Sequence, residues 1–167
     1  MKMLHDLLAI KRFREGQAET AIRRRRQAFQ QAQAERTAAE ELLARLLAEG
    51  ALAEQQLYQD LCARVVRLRD IEDVQQSVAA LRQREQRQQE ALEAAQQALK
   101  AAQQQLEQAR RVHQEAARQT SKFVDLSRSF AALDALESER REDLEMEEAA
   151  SVVREREDWH AGDAGAA

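Results

Sequence analysis

Four consecutive arginines, Arg23, Arg24, Arg25 and Arg26, stand within the stretch IRRRRQAF at residues 22–29. Guanidiniums in such a run could clamp phosphates or seat against an acidic protein surface. Successive helical residues are about 100° apart, so the four wrap around a helix instead of lining one face. A basic-zipper protein presents a longer basic helix leading directly into a parallel zipper. No aromatic platform for stacking bases accompanies the run. The formal net charge of −4 also opposes a dedicated DNA or RNA binder. The run reads as a solvated surface or a contact for acidic protein, and nucleic acid is not an expected partner.

The remaining reactive side chains are scattered. His5, His113 and His160 are far apart and lack a ligand-spaced companion, so no metal site is expected. His113 falls on an apolar seam as a tolerated polar residue. Cys62 reads as a small filler, without the electropositive setting that activates a thiol. The glycines are isolated and no Gly-Lys-Ser/Thr triplet occurs, so no phosphate loop is expected. Ser and Thr have no oriented base beside them. The acids at 137–148 lie on a helix with no cavity to perturb them. Neither catalysis nor a cofactor is expected. Trp159 stands outside the strong seam, as either an interface anchor or a partly covered side chain.

The elements that carry these residues follow from composition. The 167 residues include no proline, four glycines and six aromatics, and 34% are charged. Long helices joined by a narrow seam have this make-up, and a thick core does not. One elongated domain over residues 1–160 is expected, with a frayed tail at 161–167. Charge is polarised: residues 1–26 carry eight Lys/Arg against three acids, and residues 134–158 carry eleven acids against four Arg. Such blocks guide docking or association. A lone cysteine suits a reducing cytosol. No apolar stretch approaches the ~20 residues that span a bilayer, and the start MKMLHDLLAIKRFREG has the wrong flanks for a secretory signal. A cytoplasmic protein with no direct membrane insertion is expected.

From Ile71 onward a heptad is clear. The d positions read Val74, Leu81, Gln88, Ala95, Ala102, Ala109, Ala116, Phe123 and Phe130; the a positions read Ile71, Val78, Glu85, Leu92, Leu99, Leu106 and His113. Alanine at d allows close helix approach, and Glu85 and Gln88 can fix register at some cost in packing. The first half has a looser stripe of Leu7, Ile10, Ala18, Ala21, Ala28, Ala32, Ala39, Leu42 and Leu46, interrupted by Arg14, Arg25 and Arg36. Its eleven-residue spacing implies weaker supercoiling. Val65 and Val66 disfavour helix, and Asp70 can cap the second helix. These signals predict an all-α, long two-helix antiparallel coiled-coil hairpin. Arm one covers about 3–64, the turn about 64–69, and arm two about 70–158. Gly50 is a tolerated weak point. The first arm would be on the order of 95 Å long, and the acids beyond about 134 would project past the N-terminus.

The segment KFVDLSRSFAALDALESERREDLEMEEAA at 122–150 resembles the YscO family of type III secretion systems, the injectisome counterparts of flagellar FliJ. The resemblance rests on Lys122-Phe123 followed by Leu126, on Glu145-Met146-Glu147-Glu148, and on Leu7, Lys11, Arg12 and Arg14 near the start. This chain departs from the family at Ala149, where an aromatic is frequent. The resemblance implies a non-enzymatic central stalk at the inner-membrane export apparatus. Its end with both termini would enter a hexameric export ATPase and stimulate hydrolysis, and the other end would point to the major export-gate protein. Export chaperones are further implied partners. On that reading Arg12, Arg14 and Arg23–Arg26 seat the stalk against acidic ring-lining loops. Leu57, Tyr58 and Leu61 either close the hairpin core or contact the gate. A stalk hairpin is expected to be a monomer in isolation; the alternative is a homodimeric coiled-coil scaffold.

Overall fold

In the computed structural model, which describes residues 2–165, two α-helices dominate: α1, Lys2–Cys62, and α2, Leu68–Ala164. Among the described residues there is no strand. The protein is an all-α, two-helix antiparallel hairpin. Ala, Leu, Glu, Gln and Arg are all strong helix formers, and no proline interrupts them.

Residues 63–67 join the helices. Ala63 N–H donates to Gln59 O at 3.0 Å, adding a last backbone bond at the end of α1. Arg67, not Asp70, occupies the N-cap of α2. Its carbonyl accepts from Asp70 N–H at 3.0 Å and from Ile71 N–H at 3.4 Å, which starts the first turn one residue after Arg67. Asp70 lies three residues in and reaches back, its Oδ2 accepting from Arg67 N–H at 2.9 Å. That is the return half of a capping box, with a carboxylate in the positive first turn. At the other end α2 continues through Ala164, into the segment that the sequence set apart as a tail. Gly162 costs a helix only about 1 kcal/mol, too little to end one alone. Residues 166 and 167 lie outside the described residues.

The structure divides into two compact units. In the unit of residues 16–115, α2 follows the expected heptad: Val74, Val78, Leu81, Glu85, Gln88, Leu92, Ala95, Leu99, Ala102, Leu106, Ala109 and His113 are all covered. Ile71, at the start of the seam, is exposed. On α1 the covered edge is Ala18, Ile22, Phe29, Ala32, Arg36, Ala39, Leu43, Leu46, Gly50, Ala53, Leu57 and Leu61. Apart from one gap this is also a heptad, so the eleven-residue reading is overturned. Ala21, Ala28 and Leu42 face solvent. Arg36 holds a covered position, and Arg25 stands in the gap between Ile22 and Phe29; together they hide the true phase.

Polar groups fix register inside this unit. Gln88 Nε2 donates to Ala39 O at 3.0 Å. Arg82 lies 2.9 Å from Glu54 and 3.6 Å from Glu85. Glu85 folds so close to buried Gly50 that a Cβ there would stand 2.5 Å from its Oε1. Gly50 is therefore where a seam carboxylate crosses the facing helix.

The terminal unit, residues 2–15 with 116–165, buries Leu8 and Thr120 and covers Leu4, Lys11, Glu15, Ala116, Phe123 and Ser127. Lys11 Nζ lies 5.2 Å from the centre of the Phe123 ring, a cation–π contact that lets lysine occupy a seam position. From Phe130 through Gly165 every described residue is exposed. Among the described residues no helix is long and apolar enough to cross a membrane.

Candidate functional site

Only five apolar side chains are buried among the described residues: Leu8, Ala18, Ala32, Leu92 and Leu106. With so thin an interior, the chemistry of this protein is carried on its surface. Arg23–Arg26 are all exposed on consecutive positions of α1. Arg25 is held: its Nη1 donates to Gln105 Oε1 at 2.8 Å. Small side chains around it, Ala21, Ala101 and Ala109, leave an open groove because no large apolar residue fills the seam there. Arg23, Arg24 and Arg26 have no hydrogen-bond or ion-pair partner among the described residues, so three of the four guanidiniums point into solvent in different directions.

Arg12 and Arg14 are exposed as well, but they belong to the terminal unit, whereas Arg23–Arg26 belong to the unit of residues 16–115. Leu57 and Leu61 lie on the covered edge of α1, and Tyr58 between them is half-exposed. Val65, in the connection, is fully exposed. Cys62 is a free, exposed thiol. His113 is covered, its Nε2 3.6 Å from Glu19 Oε1 and without a hydrogen bond.

Sequence periodicity missed a set of exposed apolar side chains. Met3, Leu7, Ile10 and Phe13 on α1, and Leu126, Phe130, Leu133, Leu136 and Leu144 on α2, all reach solvent in the terminal unit. Periodicity alone puts Leu7, Ile10 and Phe130 in buried seams. The available signal was Leu4 and Leu8, which make a heptad with Lys11 and Glu15 once those two polar residues are accepted in a seam. Trp159 is 83% exposed.

Comparison with known proteins gives a consistent answer. The family model for type III secretion protein YscO matches residues 4–152. No curated protein matches the sequence. Among solved structures, the crystal structure of type III secretion protein YscO from Vibrio parahaemolyticus is similar with a TM-score of 0.83 at 26% identity. The match covers 88% of this chain and 92% of that one.

Proposed function

Because the chain belongs to the YscO family of type III secretion proteins, we propose that it is the central stalk of the system's export ATPase. In this role it is not an enzyme. The end carrying both termini enters the hexameric ring and stimulates hydrolysis, and the connection at 63–67 faces the major export-gate protein. Export chaperones are further partners. The work takes place in the cytoplasm, against the inner-membrane export apparatus.

The observation that carries this reading is the unpaired state of Arg23, Arg24 and Arg26 around one helix of a hairpin with almost no interior. A stalk must meet several ring subunits without locking to one of them. Exposed charge in several directions does this, since it attracts acidic loops over a distance near the ~10 Å Debye length without a fixed geometry. Arg12 and Arg14 add positive charge nearer the N-terminus. Toward the gate, Tyr58 is the side chain free to make a contact, with Leu57 and Leu61 holding the helix beneath it.

The test is a hydrolysis assay with the export ATPase. Replacing Arg23–Arg26 by alanine should reduce stimulation severalfold, and wild-type stimulation should fall steeply with salt. Full stimulation by a variant that retains its helicity would exclude the arginines as the seating contact. Tyr58→Ala should weaken gate binding at an unchanged melting temperature.

A further inference from the structure

Most of the large exposed apolar residues of the terminal unit share one side of it, while Phe13, Leu136, Met146 and Val153 lie on other faces. On α1, Met3, Leu7, Ile10 and Arg14 each precede a covered residue (Leu4, Leu8, Lys11, Glu15) by one position. On α2, Leu126 precedes covered Ser127, Leu133 repeats it one heptad on, and Phe130 stands at the end of the seam. One residue is about 100° of helix, so each stripe flanks its own buried edge by roughly a quarter-turn in the same sense. In an antiparallel pair, equal offsets of the same sense fall on the same side. Met3, Leu7 and Ile10 therefore lie beside Leu126, Phe130 and Leu133.

This stripe continues where α1 no longer covers α2. Leu126, Phe130, Leu133, Leu144, Val152 and Trp159 fall within a sector of about 100° on α2, and all are exposed. The charges on the two parts are opposite. Residues 2–15 and 116–130 carry seven Lys/Arg against three acids; residues 131–165 carry twelve acids against four Arg. The acidic part cannot turn back on the basic part, because α2 is continuous and has no glycine or proline between 51 and 161.

We propose that two copies of this chain pair about a two-fold axis. The acidic stretch 131–164 of each lies on the apolar side of the other's terminal unit, along its net-basic segments 2–15 and 116–130. A two-fold pairing makes every contact twice and satisfies both halves of the surface at once. Leu144, Val152 and Trp159 of one copy cover Leu126, Leu133 and Ile10 of its partner, with Arg14, which precedes covered Glu15 and so shares the stripe's side, meeting the carboxylates beside them. It departs from the expectation of a monomer in isolation, which came from the stalk reading. It goes beyond the stalk reading: the pair covers the same end that enters the ring, so pairing and ring entry exclude one another.

The experiment is light scattering on the full chain across a range of concentrations, at low and at high salt. The molar mass should climb from 19.1 kDa toward twice that value at low salt, and the rise should shift to higher concentration as salt is added. Leu126→Glu with Leu133→Glu damages one half of the surface, and Leu144→Glu with Val152→Glu damages the other. All four positions are exposed, so helicity by circular dichroism should be retained. Each double variant should remain at 19.1 kDa where the wild type has doubled. A wild type that stays at 19.1 kDa throughout overturns the proposal, as does a dimer that persists in both double variants.

Discussion

Residues 74–127 and 131–164 belong to the same helix and draw on the same residue types, yet their surroundings are opposite. In the first, a residue is covered every three or four positions; in the second, none is. Leu106 is 5% exposed and Leu144 59%. Local helix propensity does not separate the two stretches, since both are helical. What differs is whether α1 runs alongside. Being a helix and being a packed helix are separate outcomes, and only the second depends on a partner.

The largest test of that difference is a matched pair of truncations. Leu106→Ala should cost about 2–4 kcal/mol in denaturant unfolding, because it empties a filled seam position. Leu144→Ala should cost less than about 0.5 kcal/mol under dilute conditions. Equal losses would break the comparison.

Two glycines sharpen it at the next level. A Cβ on Gly16 meets nothing within 4 Å, so Gly16→Ala should stabilise the protein by about 1 kcal/mol in thermal or chemical unfolding. Gly50→Ala gains the same propensity but must push the Glu85 carboxylate aside and disturb its 3.6 Å approach to Arg82. Its net gain should be measurably smaller. Identical gains would show that Glu85 has no preferred place across α1.

A smaller effect is expected in the terminal unit. Lys11→Ala removes the contact with Phe123 and should cost about 0.5–1 kcal/mol. Smaller still is the deletion of residues 131–167. The melting temperature of the dilute protein should move by no more than a degree or two, while total helicity drops. A large loss of stability would mean that the uncovered helix supports the packed part.

Much of α2 was legible in the sequence because its seam is apolar at nearly every turn, from Val74 through Leu106 to Phe123. The break near Val65 and Val66 was legible from helix propensity, although the cap residue was Arg67 and not Asp70. The phase of α1 was not. Lys11, Glu15 and Arg36 occupy covered positions, where a hydrophobic pattern expects apolar side chains. Lys11 stacks on Phe123, and Arg36 reaches Glu40 at 3.2 Å. A pattern read from hydrophobicity shifts the stripe by about one residue, to Leu7, Ile10 and Leu42. For the same reason part of the exposed apolar face of the terminal unit was invisible, because that pattern puts Leu7, Ile10 and Phe130 in the core.

The sequence by itself determined that residues 2–164 are helical outside one connection, that the chain turns back once, and that opposite charges collect in its first and last stretches. Those outcomes depend on backbone propensity, the absence of proline and the order of residues along the chain. Only the tertiary structure decided which side of α1 is buried, where Glu85 crosses Gly50, and that Leu7, Ile10 and Phe130 stay in water. These depend on where the second helix lies, because a side chain is removed from water only by atoms that another segment brings to it.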